Sequence, residues 1–397
     1  MSTTVNEVTI VAGVRTAIGG FLGALKDIPP TELGAIVVKE ALQRADVQPG
    51  QVQHVVFGNV IHTEPKDMYL GRVAALGGGV PHEVPALTLN RLCGSGLQAV
   101  ISAAQSIMLG DAEIAVAGGA ESMSRGPHAT RMIRSGVKMG DLQFVDMMTG
   151  ALTDPFGAGH MGITAENVAR QWQIGRAEQD AFAAESQRRA GQAIAEGRFK
   201  SQIVPIEVKR GRETASFDTD EHPKPTTTVE ALAALRPAFS KEGSVTAGNA
   251  SGINDGAAAL VLMSAERAAR EKVRPMAKII GYAHAGVDPA VMGIGPVPAV
   301  QNLLRKTGLS IDDFDVIESN EAFAAQACAV SRELGLDPER TNPNGGAIAL
   351  GHPVGATGAI ILVKALYELQ RIGGRRALCT MCIGGGQGIA VAVERYA

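Results

Sequence analysis

Several things are scarce in this sequence, and each shortage excludes a class of protein. Cysteine occurs four times (Cys93, Cys328, Cys379, Cys382) in 397 residues. That is too few for a disulfide framework, so any special cysteine is expected to be catalytic or structural. No basic excess exists: 37 Lys and Arg stand against 40 Asp and Glu, a formal net charge of −3. Binding to nucleic acid through phosphate neutralisation is therefore not expected. Long hydrophobic runs are missing, so no membrane span is expected. The opening MSTTVNEVTIVAGV lacks the basic and apolar regions of a secretory leader, and the closing VERYA carries no lipidation or peroxisomal signal. A cytoplasmic location is the expectation. Aromatics make up only 4% and charged residues only 19%, while 45% are hydrophobic. A disordered chain would be charge-rich and poor in aliphatics, so a compact aliphatic core is expected.

Glycine is in excess: 48 of 397, about 12% against a usual ~7%. Such a backbone turns tightly or comes close to something at many points.

The chain also reads twice. Residues 39–59, KEALQRADVQPGQVQHVVFGN, match residues 300–320, VQNLLRKTGLSIDDFDVIESN, at an offset of 261. Leu42 faces Leu303, Arg44 faces Arg305, and Asn59 faces Asn320. Residues 93–119 and 355–386 match at an offset of 262, with Gly96 facing Gly358 and Ala115-Val116 facing Ala377-Leu378. Each half reads as strand, helix, strand, Gly-rich turn, helix, strand. The aliphatic runs at Val8–Val11, Val55–Gly58, Ile114–Ala117, Lys278–Tyr282, Val316–Glu318 and Ala377–Thr380 suit strands buried on both faces. Helices Gly96–Leu109 and Gly358–Leu366 are nearly free of charge, so they are expected to be buried between two sheets, one sheet per half. The fold class expected is α/β: duplicated βαβαβ halves in a layered α-β-α-β-α core. The expected division is 1–122 plus 248–275 for the first half, 123–247 for an inserted loop domain, and 276–397 for the second half. The insertion is richer in charge and contains an amphipathic helix, Arg176–Glu196, and the Pro/Thr-rich stretch EHPKPTTTVE.

Four places could carry chemistry. In NRLCGSG (90–96), Cys93 precedes an apolar helix, where free N–H groups and the positive dipole end favour a thiolate; the alternative is a small buried cysteine capping a packed helix. In NGGAIALGHPVGATG (344–358), His352 occupies the matching turn of the second half, and a pseudo-twofold would bring both helix starts to one cleft. In CTMCIGGGQG (379–388), a metal claw is disfavoured because strand positions three apart face opposite ways; Cys382, at the strand end, suits solvent- or substrate-facing work. In ESNEAF (318–323), Asn320 is a candidate donor or a turn former, and Glu321 a candidate orienting carboxylate. A Cys nucleophile with a His partner permits a covalent acyl-enzyme. The backbone N–H groups of Cys93 and of the Ile383-Gly384-Gly385 turn could form an oxyanion hole.

Taken with AGNASGINDGAAA (247–259), these motifs run through the chain in the order of a known family: the sequence resembles the thiolases over essentially its whole length. Stretches 54–75 and 285–298 are most similar to broad-chain bacterial β-ketothiolases. The resemblance implies reversible Claisen condensation of acyl-CoA thioesters by a ping-pong route, with no cofactor or metal beyond the coenzyme A substrates. It implies that Cys93 carries the acyl group and that His352 promotes its thiolate and polarises the second thioester. Cys382 moves the α-proton, and Asn320 holds a water that completes one oxyanion hole. The N–H groups of Cys93 and Gly384 form the other. For the CoA thioester it implies Ser251, His160, Met161, Phe239, Ala247, Met292 and Phe323 along the pantetheine and acyl channel. Lys224 stands in EHPKP, where acetoacetyl-CoA thiolases often have an arginine, and is the candidate to meet a phosphate of the CoA nucleotide as a point charge. The partners implied are acyl-CoA and CoA, with no nucleic acid and no membrane. A homotetramer is expected, with residues 125–145 in the place of a tetramerisation loop. Three other readings are weighed: a narrow acetoacetyl-CoA thiolase, a ketoacyl-synthase-type enzyme, which lacks a second catalytic cysteine, and a non-catalytic acyl-CoA-binding scaffold, which would have lost a catalytic residue.

Overall fold

The computed structural model describes residues 6–131 and 133–396. Met1–Val5 of the opening stretch, Met132 within 125–145, and Ala397 at the end of VERYA lie outside the described residues.

The first half contributes β1 (Val8–Thr16), α1 (Pro30–Arg44), β2 (His54–Gly58), β3 (Ala86–Leu89), α2 (Ser95–Met108), β4 (Ile114–Ser122) and, after the insertion, β5 (Asn254–Ser264). The insertion contains α3 (Met161–Gln171) and α4 (Arg176–Ala195). The second half contributes β6 (Ala277–Gly286), α5 (Pro296–Thr307), β7 (Val316–Ser319), α6 (Ala324–Leu334), α7 (Val354–Ile372), β8 (Arg376–Ile383) and β9 (Gln387–Arg395).

The strand order is β1-β5-β4-β2-β3 in the first half and β6-β9-β8-β7 in the second. Both halves follow one plan. The outer strands, β4 with β2 and β8 with β7, pair in parallel, and the returning strands, β5 and β9, pair antiparallel. The counterpart of β3 shrinks to a parallel bridge between Ile317 and Thr341. Two features differ from the sequence reading. Each half gains the antiparallel strand β5 or β9, which the run of small residues in NDGAAALVLMS obscured. The two sheets are also not separate, because β1 pairs with β6 at Thr9↔Lys278 and Ile10↔Ala277 and makes them continuous.

α2 and α7 are the inner helices. α2 packs on β2 and β4, and α7 packs on β4, β5 and β8 and on α2 itself. Their apolar residues are buried almost all round, which a helix covered on every side requires. α1 and α5 cover the outer faces. The insertion is tied to β1 by Arg15, which is fully buried and forms a two-pronged pair with Asp220 at 2.7 and 2.9 Å. Among the described residues no helix is long and apolar enough to cross a membrane.

Candidate active site

The two inner helices start side by side. A Cβ on Gly96 would lie 2.7 Å from Ala359 N, and one on Gly358 would lie 2.3 Å from Leu97 N. Only glycine at both places lets the backbones touch, so the turns holding Cys93 and His352 meet at one place.

Cys93 sits just before the Gly94 cap of α2. The residue before it, Leu92, has φ +46, a left-handed conformation rare for a branched side chain. Local bonds hold the strained turn. Leu92 N–H donates to Asn90 Oδ1 at 2.8 Å, Arg91 N–H donates to Ser95 Oγ at 2.9 Å, and Ser95 Oγ donates to Leu92 O at 2.7 Å. Burial pushes the Cys93 thiol up, opposed by hydrogen bonds from the N–H groups of Gly384 and of Cys93 itself. The balance lies on the side of the thiol, so ionising the sulfur calls for a base.

His352, which shares a cavity wall with Cys93, is the candidate base. Its Nδ1 lies 2.7 Å from Thr357 Oγ1, and that hydroxyl donates its one hydrogen to Pro353 O at 2.9 Å. The hydroxyl therefore accepts from Nδ1–H, which leaves Nε2 with a free lone pair. Burial pushes the imidazole pKa down to about 4, so the ring is neutral. Its backbone N–H donates to Asn254 Oδ1 at 2.9 Å. Asn320 is buried and presents Nδ2 to His352 Nε2 at 3.5 Å, while its Oδ1 has no protein partner.

Glu121 ties the site together. Its oxygens accept from Asn59 Nδ2 and from the N–H groups of Val60, Ile61 and Gly355, at 2.9–3.0 Å. Both oxygens are filled, which leaves a carboxyl proton nowhere to go. The group is held as a carboxylate against the burial that pushes its pKa up. It joins the end of β2 to the start of α7, and its charge also opposes ionisation of Cys93.

An apolar cavity of about 380 Å³ opens onto Cys93, His352 and Gly384. Of the expected thioester-binding residues, His160, Met161, Phe239, Ala247, Ser251, Met292 and Phe323 all line it. His160 stacks on Phe239 at 4.8 Å, and Phe239 meets Phe323 edge-on at 6.1 Å. His160 Nδ1 accepts from Gly162 N–H at 3.1 Å, capping α3. Gly162 lies flat under the Phe239 ring, where a Cβ would come within 2.3 Å of ring carbons. Ser251 N–H donates to Ala322 O at 3.0 Å, which sets the NASG and NEAF segments side by side on the wall.

The structure places the three remaining candidates and corrects the solvent-facing reading of Cys382. Cys382 is fully buried, not solvent-facing. It lies behind the cavity wall against Met161, Met292 and Phe323, and burial with the nearby Cys93 pushes its thiol well up. Glu321 does not reach His352; it accepts from Ser186 Oγ at 2.6 Å and Asn342 Nδ2 at 2.8 Å and so fixes the 342–348 loop to α4. Lys224 is exposed and outside the cavity lining, with its N–H on Gln187 Oε1 at 2.7 Å. Its neighbour His222 instead packs against Gly252, which does line the cavity. The other half of the CxxC, Cys379, faces α7, with Sγ 3.8 Å from Ile361 O. Among the described residues no three His, Cys, Asp or Glu side chains gather as metal ligands would. The sequence reading missed Thr357, Asn254 and Glu121; a Thr five residues after His352 in a helix start was the available signal for the first.

Comparison with known proteins agrees with this geometry. Residues 8–266 match the thiolase N-terminal domain, and residues 273–395 match the thiolase C-terminal domain. The chain is 62% identical over 390 residues to the β-ketothiolase BktB of Cupriavidus necator, covering 98% of this chain and 99% of that protein. It is 51% identical over 386 residues to the acetyl-CoA acetyltransferase of Shinella zoogloeoides, covering 97% and 98%. Human mitochondrial 3-ketoacyl-CoA thiolase superposes with a TM-score of 0.96 at 46% identity over 99% of this chain and 100% of that one. The Bacillus anthracis acetyl-CoA acetyltransferase gives 0.97 at 46% over the whole of both chains. Two family domains matched end to end, and relatives this similar over their full length, leave one assignment: the chain belongs to the thiolase family.

Proposed function

We propose that Cys93 carries the acyl group in this β-ketothiolase, an acyltransferase that condenses acyl-CoA thioesters or cleaves 3-ketoacyl-CoA. The observation that carries the reading is the convergence of the Gly384 and Cys93 N–H groups on the Cys93 sulfur, at the floor of an apolar cavity that also exposes His352. His352 Nε2 takes the thiol proton, and the thiolate attacks the thioester carbonyl. CoA leaves with the proton of Cys382, so Cys93 holds the acyl group, His352 keeps the transferred proton on Nε2, and Cys382 is left as the thiolate. A second acetyl-CoA then loses its α-proton to Cys382. The enolate oxygen is stabilised by His352 and by a water on Asn320, each such donor being worth roughly 3–4 kcal/mol. The enolate attacks the acyl-Cys93, and the tetrahedral oxygen is received by the N–H groups of Cys93 and Gly384; its collapse breaks the bond to the Cys93 sulfur, releases 3-ketoacyl-CoA, and returns the His352 proton to Cys93.

The mutual repulsion of the two thiols supports this order. A charge on Cys93 holds the Cys382 proton in place. Bonding of Cys93 to the acyl carbon removes that charge, so Cys382 becomes the easier thiol to ionise as CoA leaves. The presence of two such thiols also favours a thiolase over a ketoacyl-synthase chemistry. All four expected catalytic side chains are present, which disfavours a binding scaffold.

The apolar wall of His160, Met161, Phe239, Met292 and Phe323 suits a pantetheine arm and an acyl chain, with Ser251 and Ala247 beside them. A solved relative, the human 3-ketoacyl-CoA thiolase, is described in complex with CoA. The 62% identity to a β-ketothiolase supports that class of acyltransferase, and acceptance of longer acyl chains is read from the resemblance of stretches 54–75 and 285–298 to broad-chain enzymes. We read segment 123–247 as the CoA-binding and oligomer-forming insertion on the first half, 1–122 plus 248–275, with 276–397 as the second half. Exposed Ile133, Met139, Leu142, Phe144 and Val145 in the 125–145 stretch support a tetramer contact. Four free thiols suit a reducing cytoplasm.

Thiolysis rates of purified protein with 3-ketoacyl-CoAs of four to ten carbons test the reading. Turnover across the series is expected. A sharp preference for acetoacetyl-CoA would return the narrow alternative, and turnover undiminished in Cys93→Ser would overturn the nucleophile.

A further inference from the structure

A second, much smaller cavity lies behind the His352–Asn320 pair. Its volume is about 10 Å³, room for about one water. Asn320 and Thr357, the two side chains that hold His352, line it; neither lines the large cavity. Its far end is an ion pair, Lys364 Nζ on Glu318 Oε2 at 2.7 Å, with both side chains about 2% exposed or less. The fold brings these four together simply. Glu318 and Asn320 alternate onto one face at the end of β7. Thr357 and Lys364 are seven residues apart, on one face of α7.

The polar atoms here are incompletely matched. Asn320 Oδ1 and Glu318 Oε1 are buried without a protein partner. Lys364 has three N–H donors, two of which go to Glu318 Oε2 and to Gly345 O at 2.7 Å each. One donor and two acceptors thus surround a space the size of one water, with the unpartnered hydroxyl of the lining residue Ser319 beside them, and an internal water typically makes about three hydrogen bonds.

We propose that Glu318 and Lys364 are positioning residues for the reaction, joined to Asn320 by one internal water that accepts from Lys364 and donates to Glu318 Oε1 and Asn320 Oδ1. The consequence is at the histidine. An asparagine amide turned end for end has nearly the same shape, so packing alone holds it poorly. Oδ1 fixed by the water leaves Nδ2 facing His352 Nε2, the atom that takes the Cys93 proton. A charged lysine in the otherwise uncharged stretch 354–366 of buried α7 then has a role. The inference rests on the proposed catalytic reading of His352 and Asn320.

A double-mutant cycle on Glu318→Gln and Asn320→Ala, read by acetoacetyl-CoA thiolysis, tests it. Alone, Glu318→Gln is expected to lower kcat about tenfold with KM for CoA little changed, in the range seen for supporting groups around reactive sites. In the Asn320→Ala background the same change is expected to cost less than about twofold, because residues acting through one another are not additive. A similar loss in both backgrounds, or no loss in either, overturns the proposal. An Asn320→Ala protein with full turnover instead overturns the catalytic reading itself and this inference with it. A high-resolution crystal structure of the unaltered protein provides a second test, independent of how the variants fold. A water within hydrogen-bond distance of Lys364 Nζ, Glu318 Oε1 and Asn320 Oδ1 is expected, and a dry or collapsed cavity rules it out.

Discussion

Gly96 and Gly358 hold matching positions in the two halves of the sequence and face each other where the two inner helices begin. The contact is backbone to backbone, so neither side can yield by moving a rotamer. Gly358→Ala is expected to push the helices apart and lower the unfolding free energy by about 1–3 kcal/mol, the usual cost of overpacking. Urea unfolding measures this. A larger loss of turnover than of stability is expected too, because the same shift separates Cys93 from His352.

The two thiols should separate by role. Cys382→Ala is expected to keep acylation of Cys93 by acetyl-CoA, seen as an acetylated Cys93 peptide by mass spectrometry. It should lose exchange of the acetyl α-protons with deuterated water by at least about a hundredfold, the scale of a general base. Equal loss of both activities would contradict the split.

Thr357 sets the imidazole tautomer through one hydroxyl hydrogen. Thr357→Val keeps the shape and removes the acceptor of Nδ1–H. A fall in kcat of about 10–100-fold is expected, typical of groups that orient a reactive ligand or base, with KM for CoA changed little. Thr357→Ser is expected to restore most of the rate. Steady-state kinetics of the three proteins distinguishes these outcomes.

His352 also makes stability depend on pH. Its folded pKa, about 4, is below the unfolded value of 6.5, so between these values the unfolded chain binds more protons. The contribution is neutral above pH 6.5, grows against the fold as pH falls, and levels off near pH 4, where it totals about 3 kcal/mol. His352→Gln lacks this titration. The stability difference between wild type and variant should therefore shift against wild type from pH 7 to pH 5. Denaturant midpoints at the two pH values show it, and a constant difference would refute it.

Much of this was legible in the chain. The aliphatic runs marked six strands because strands buried on both faces leave little else for those positions to be. The repeat foretold that Gly96 and Gly358 are equivalent, since a backbone contact tolerates no side chain. What stayed hidden depends on partners far apart in sequence. Asn254 and Glu121 meet the 352–355 turn only in three dimensions. The depth of Cys382 was also invisible, because a strand end next to three glycines resembles an exposed one. Lys364 carried a signal of its own: a single charge inside an apolar helix calls for a buried partner.

The strand order has a consequence for how the protein is made. β5 lies between β1 and β4, yet it leaves the ribosome some 130 residues after β4, with the whole insertion in between. The first sheet therefore cannot close while its early strands are being synthesised, and β1, paired before then only with Ile203–Val204 at its Arg15–Thr16 end, waits with the edge facing β4 open until Asn254–Ser264 arrives. β6 follows at once and covers the other edge. The first half is thus no early-folding unit in its own right: nascent chains shorter than about 265 residues expose unpaired strand edges, the kind of surface that chaperones hold.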